Sequence, residues 1–250
     1  MKRTMKNMRI IFFTGIVLFA FSCKKNEKQK ADVSLNFQTV FSGADYSFLN
    51  EFTNGDGIKI RLELLQFYIS NVRFVKKNGR EVLAEDIALV KCDLNGSGIA
   101  DIKIPAGDYT SLRFGIGVPK EMNESDPSEF NEPDHPLNVT QNTYWGMNAM
   151  YRFLMLDGRY DIEGDGIMDG VFSYHTGYNE SYREVELIHD FSFDRKGNYS
   201  QIISIDVSKL FYVPGNIVDV VNESDFHGEL TALDIALRMS DNFAASLSIQ

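Results

Sequence analysis

IKIRLELLQFYISNVRFV, from Ile58 to Val75, is the stretch that decides the fold. Ile58, Ile60, Leu62 and Leu64 alternate with polar or charged residues, and the alternation changes phase near Gln66. Successive side chains of a strand point to opposite faces, so this period marks strands with one face buried. The change of phase predicts a bulge or bend between two strands. Downstream, KKNGRE reads as a hairpin turn, with Asn78-Gly79 suited to positive φ. Upstream, VSLNFQTVF (Val33 to Phe41) puts Val33, Leu35, Phe37 and Thr39 on one face. IALVKCDL, ADIKIPAGDYTSLRFGIGV, GVFSYHTGY, REVELIHDFSFD, YSQIISIDV and SLSI continue the pattern, punctuated by NGSG and PAGD.

Helical spacing is scarce. One short helix is predicted around Tyr144 to Leu156 and another from about Glu229 to Asp241, with Leu230, Leu233 and Leu237 on its stripe. Pro119 to Asn142 is rich in Pro, Asp, Glu and Asn and reads as an extended surface loop. The expectation is an all-β, sandwich-like fold with a long loop insertion and one or two short helices.

The chain opens on a different composition. Lys2, Arg3, Lys6 and Arg9 precede an apolar run from Ile10 to Phe21, which is too short to span a bilayer and fits a signal peptide over residues 1–22. Ala20 and Ser22 lie just before Cys23, in the manner of a lipoprotein cleavage box, so Cys23 is expected to be acylated. Lys24 follows where an inner-membrane retention aspartate would stand, which points to the outer membrane. Residues 23–32 are polar and are expected to form a flexible tether, followed by one domain over residues 33–250.

The leader holds four of the 25 basic residues and none of the 35 acidic ones, which leaves the remainder at −14. Such acidity excludes nucleic acid as a partner, because phosphate binding needs clustered Lys and Arg. With Cys23 acylated, Cys92 has no cysteine to pair with and is expected to be buried. No nucleophile motif, P-loop or H-E-x-x-H is present, so an enzyme is not expected.

Two groups of residues could hold metal. In DIEGDGIMDG, the oxygens of Asp161, Glu163, Asp165 and Asp169 and the Ile167 carbonyl fall at calcium-loop spacing, with Gly166 at the turn. Position 12 is Phe172, so Asp157 is a candidate for the missing ligand. NGDG (Asn54 to Gly57) reads as a turn. Of the four histidines, His175 and His227 are the candidates for a transition metal, while His135 and His189 look exposed.

LQFYISNVRF (Leu65 to Phe74), GDYTSLRFGIGVP (Gly107 to Pro119), YWGMNAMYRFLMLDG (Tyr144 to Gly158), FSYHTG (Phe172 to Gly177) and FHG (Phe226 to Gly228), in that order, resemble the MbnP-like proteins. The resemblance implies a β-rich periplasmic protein that holds copper through histidines and a tryptophan oxidised to kynurenine. It implies as partner a dihaem enzyme of the MauG and cytochrome c peroxidase type. Carried over, it makes His175 and His227 copper ligands and Trp145 the oxidised residue. Met147 stands where relatives often carry a second tryptophan, and no histidine precedes His135, so Tyr68 or a methionine would supply any earlier ligand. The reading is a lipid-anchored envelope protein binding copper, with a structural calcium loop. Its rival is a surface glycan- or protein-binding lipoprotein module without copper, using aromatics such as Tyr178, Tyr182 and Tyr212.

Replacing Cys23 by Ala is expected to move the protein from the membrane pellet to the soluble fraction, since each buried acyl CH₂ contributes about 0.8 kcal/mol to anchoring. Retention of the variant in the pellet would rule out lipidation at Cys23.

Overall fold

A computed structural model describes residues 30–146 and 150–249. The leader, Cys23 and the first part of the expected tether lie outside them. The strands are β1 (Lys30–Phe41), β2 (Ala44–Asp45), β3 (Phe52–Thr53), β4 (Lys59–Val75), β5 (Glu81–Lys91), β6 (Ser97–Pro105) and β7 (Gly107–Ile116). A helical turn α1 (Lys120–Asn123) precedes β8 (Leu154–Asp161), β9 (Gly170–Thr176), β10 (Arg183–Phe193) and β11 (Asn198–Asp206). The chain closes with α2 (Ser208–Phe211), β12 (Asp225–Phe226), α3 (Leu233–Ser246) and β13 (Leu247–Ile249).

These strands make two sheets, as the alternation requires. In the smaller sheet β1 lies between β11, to which it is parallel, and β6, to which it is antiparallel; β13 flanks β11, and β2 extends the edge of β1. In the larger sheet the order is β10-β7-β4-β8-β9-β12, with β3 and β5 also paired to β4. The inward faces meet in one core. Phe37 of β1 packs edge-on against Phe67 of β4 at 5.1 Å and Phe114 of β7 at 6.2 Å. Helix α3 closes one end by laying Phe243 on Phe67 at 4.7 Å. The sandwich-like, mostly-strand fold is thus as the alternation implies.

Several local expectations are corrected. The tether is shorter than 23–32, because Lys30 to Asp32 already belong to β1 and Ala31 is fully buried opposite Ile104. Ile58 to Val75 gives one 17-residue strand rather than two, with register shifts opposite β8 between Leu62 and Leu64 and opposite β5 between Val72 and Arg73. No helix forms among the described residues of Tyr144 to Leu156. Tyr144 bridges Tyr151, Met150 donates to the Gly146 carbonyl, and Gly146 sits at φ 97°, outside helical space. The last helix is α3, displaced toward the C-terminus from Glu229–Asp241. Its buried stripe is Ile235, Ala236, Met239 and Phe243, and Leu230 is exposed.

Residues 119–142 do not simply coil over the surface. They buried Leu137 beside Tyr68, Ile87, Val118, Tyr151 and Phe153, a second cluster that lies on the outer face of β4. The Asn138 side chain accepts from Thr140 N and donates to the Phe130 and Glu132 carbonyls, so the polar residues that suggested a loop hold it in a single shape.

Phe37→Ala removes a fully buried ring from between two others and is expected to cost about 3–5 kcal/mol of unfolding free energy. A denaturant titration should show the lowered midpoint. A loss below 1 kcal/mol (about the scale of an ordinary surface change) would mean that the two sheets do not meet at this residue.

Candidate metal centre

The antiparallel ladder of β8 and β9 builds the site. It places Asp157 opposite Ser173 and Met155 opposite His175, and the period of two puts Ser173 and His175 on the same face. On the other edge of β9, the parallel pair with β12 sets Asp225 beside Ser173 and Phe226 beside Tyr174, which delivers His227 one residue later. Phe172 and Tyr174, the intervening residues of β9, point into the core.

Ser173 Oγ is the hub. It donates to Asp157 Oδ1 at 2.7 Å and lies 3.0 Å from His227 Nε2 and 3.3 Å from His175 Nε2. His175 Nε2 is itself 2.8 Å from Asp157 Oδ1. The two imidazole rings meet edge to face at 4.9 Å. Trp145 covers both, stacked on His227 at 6.0 Å and edge-on to His175 at 4.8 Å. A tight loop holds the indole there, with Trp145 N donating to the Met150 carbonyl and Nε1 to that of Asn142.

The charges are arranged unevenly. Burial works to raise the Asp157 carboxyl, yet hydrogen bonds from His175 and Ser173 and the adjacent imidazoles hold it below the ordinary aspartate range. An ionised Asp157 accepts the proton of His175 Nε2. The buried Nδ1 of His175, which has no hydrogen-bond partner, is then the ring's free lone pair. Arg152 is buried, its Cζ 4.4 Å above the Trp145 ring and its Nη2 donating to the His227 carbonyl, while Nε and Nη1 have no partner. Desolvation pulls this guanidinium down from its ordinary value, with Tyr178 and Glu229 opposing. Glu229 accepts from His227 N, and Tyr178 donates to the Gly228 carbonyl, fixing the backbone on both sides of His227.

Two imidazoles, a carboxylate and a hydroxyl form a donor set suited to a late first-row metal. Metal bound at Nε2 would take the place of the shared proton and have Asp157 as a neighbour. Metal bound at Nδ1 would leave Asp157 as the partner that orients the ring. Among the described residues a second group of potential ligands lies close by. That group is Asp161, Glu163 and Asp169, whose oxygens lie within 4.8 Å of one another in the β8–β9 loop.

The loop has partial calcium geometry. Asp161 is fully buried and accepts from Gly164 N and Gly166 N, and Asp169 accepts from Ile162 N. The Asp169 carboxyl beside Glu163 raises the latter's pKa, as expected of acids crowded without a cation. Asp165 stands apart, accepting from Ile167 N in a local turn, and the Ile167 side chain is exposed. Asp157, considered as a further calcium ligand, is committed to His175 instead.

Other candidates are placed elsewhere. His135 stacks on Phe130 and accepts from Leu137 N, and His189 packs against Phe191; both are half-buried rather than exposed. Tyr68 is far inside the second cluster, bonded to the Pro136 carbonyl and Thr143, whereas Met155 lies directly across the ladder from His175. Cys92 is half-buried, and desolvation pushes its thiol up to about 12. Tyr178, Tyr182 and Tyr212 form no exposed platform, since Tyr178 and Tyr182 bond to Gly228 and Ser70 and Tyr212 packs on Gly55. Ser173 and Arg152 were missed as site residues, and Asp157 was considered only for the calcium loop. The one available signal was the two-residue spacing of Ser173 and His175.

Fold and site together define a two-sheet β protein carrying a histidine–carboxylate–tryptophan cluster at a sheet edge. A profile of the MbnP family matches residues 30–229, and the chain belongs to that family. Its fold is similar to that of MbnP from Methylosinus trichosporium, with a TM-score of 0.52 and 16% identity over 80% of this chain and 82% of the other. No curated protein matches the sequence.

Because the folded state holds Asp157 more acidic than the unfolded chain does, its ionisation stabilises the fold above the unfolded value of about 3.9. That contribution is lost as pH falls through the lower folded value. Asp157→Asn is therefore expected to flatten the acid limb of stability against pH, read by thermal melts. An unchanged acid limb would show that Asp157 is not held ionised by its neighbours.

Proposed function

We propose that this chain is a copper-binding protein of the cell envelope, anchored through lipid at Cys23 in the outer membrane, and not itself a catalyst. The observation that carries the reading is the convergence of His175 Nε2 and His227 Nε2 on one Ser173 hydroxyl beside an ionised Asp157, under Trp145. His175 and His227 would hold the metal, and Met155 offers a soft thioether across the ladder. Copper tops the divalent affinity series for such donors. Family membership supports the assignment.

By the same resemblance, Trp145 is the residue that a dihaem partner of the MauG and cytochrome c peroxidase type would convert to kynurenine. Its position supports this, since the indole is 41% exposed and also in contact with both imidazoles. We assign the Asp161–Glu163–Asp169 loop to a structural calcium ion.

Copper titration separates the parts of this proposal. His175→Ala and His227→Ala should each weaken copper binding by at least tenfold, about 1.4 kcal/mol, while His135→Ala leaves it unchanged. Equal affinity in all three would remove the site. Coexpression with the dihaem partner should add to the Trp145 peptide the mass that marks kynurenine, and an unmodified peptide would exclude that step. Calcium should raise the melting temperature by mass action, and Asp161→Ala should abolish the rise. Melting curves identical with calcium and with EDTA would leave the loop a turn.

A further inference from the structure

At the pole of the fold where β1 begins, three turns and the start of β1 bring cations together. Lys30 opposes Pro105 at the β6–β7 turn, and its carbonyl accepts from Lys196 N in the β10–β11 turn. Gly107 opposes Phe193, which joins the same two turns from the other side. The β4–β5 hairpin completes the pole: Lys76 Nζ lies 4.9 Å from the Tyr109 ring centroid, and Lys76 N donates to the Arg80 carbonyl. Lys30, Lys76, Lys77, Arg80, Arg195 and Lys196 are thereby grouped on one end, and all but Lys76 are exposed.

Among the described residues none of these six forms an ion pair, whereas Arg61, Arg73, Arg113, Arg159, Arg183 and Arg238 all do. Lys91, Arg152 and Lys209 also make no ion pair among the described residues, but they do not lie at this pole. The acids nearby do little to offset them. Asp32 is taken by Lys103, and Asp108 and Asp194, the two acids of these turns without an ion pair, leave the six cations in excess. An unpaired basic end is unexpected in a chain of net charge −10. The opposite end of β4 carries the acids, where Lys59 opposes Asp161 and the loop of Glu163, Asp165 and Asp169 follows. Seventeen residues of strand separate the two ends by about 55 Å.

We infer that the basic pole docks on an anionic phospholipid surface, which turns the acidic loop away from the bilayer. The point at which the chain enters the fold selects this occupant. Everything before Lys30 attaches at this pole, and on the reading that Cys23 is acylated, six residues, or seven Cα–Cα steps, separate the lipidated cysteine from Lys30. Fully extended, they reach about 25 Å at most. The anchor therefore keeps this end close to the headgroups, and Lys24, Lys25 and Lys28 of the connecting stretch add the same sign of charge. Attraction between exposed charges decays over about 8 Å at physiological salt, so the pole must approach closely to be held. Each basic residue near an anionic surface then contributes roughly fivefold in binding.

The test uses the chain from Lys24 onward, which keeps both sheets and the whole core but has no acyl group. Binding is measured to phosphatidylcholine vesicles with and without phosphatidylglycerol. Binding is expected only to the anionic vesicles and is expected to weaken as salt is added. Combined Lys76→Glu, Lys77→Glu and Lys196→Glu should lower it by about two orders of magnitude from the three positive charges lost, at roughly fivefold each, and further from the three negative charges gained. Lys120→Glu with Lys209→Glu, placed elsewhere, should leave it unchanged, and melting curves check that each variant is folded. Absence of anionic-vesicle binding would overturn the inference. So would loss of binding only when Lys24, Lys25 and Lys28 are reversed, or a pole that binds soluble polyglutamate but not vesicles, which would assign it to an acidic protein. Failure of acylation is read separately from the location of Cys23→Ala in cells.

Discussion

Hydrogen bonding along β4 is the constraint on which the rest of the structure depends. One edge of this strand carries β8 along residues 59–67 and β7 along residues 69–75, while β3 and β5 also pair with it. Few strands serve so many partners, and the register shifts near Ser70–Arg73 show how it is done. The strand hands its edge from β8 to β7 between Phe67 and Ile69, and Asn71, at φ 48°, a conformation that Asn tolerates better than most residues, lies in the bulge just beyond. Val72 and Phe74 face the main core beyond that point, and Tyr68 before it faces the second cluster. Ile60 and Leu62 before the phase change and Leu65, Phe67 and Ile69 after it all face the main core, so the change visible in the sequence is the trace of the irregularity opposite β8 between Leu62 and Leu64, which keeps the apolar face turned inward.

The site inherits its geometry from this arrangement. Asp157 is fixed by pairing of β8 with β4, Ser173 and His175 by pairing of β9 with β8, and His227 by two residues of β12 paired with β9. A shift of one residue anywhere along this chain of pairings would send Ser173 and His175 to the core face. Phe172 and Tyr174 prevent it, because both are buried and would then have to face water. The apolar half of β9 therefore positions its polar half.

This explains which parts of the molecule could be read without coordinates. Alternation is a local property, so β1, β4 and β11 were legible. Pairing across strands is not local. Nothing in the spacing of Asp157 and His175 distinguishes a hydrogen-bonded pair from a calcium ligand and a separate histidine, and Asp157 was read toward the wrong loop. The stretch around Trp145 failed for another reason. Tyr144, Tyr151 and Phe153 suit a helix by spacing, but Gly146 and Met150 at positive φ fold it back on itself. Trp145 reaches the histidines only because that turn is tight.

The buried guanidinium of Arg152 bears on what the tryptophan can do. Removing an electron from the indole creates positive charge 4.4 Å from an existing one. At an effective dielectric constant near 20 the repulsion is about 4 kcal/mol, and less where water reaches the half-exposed ring. Asp157 and Glu229 are the compensating charges, both held ionised by hydrogen bonds, and neither touches the indole directly. Arg152 therefore makes positive charge on the Trp145 ring costly, and the ionised Asp157 and Glu229 nearby offset part of that cost.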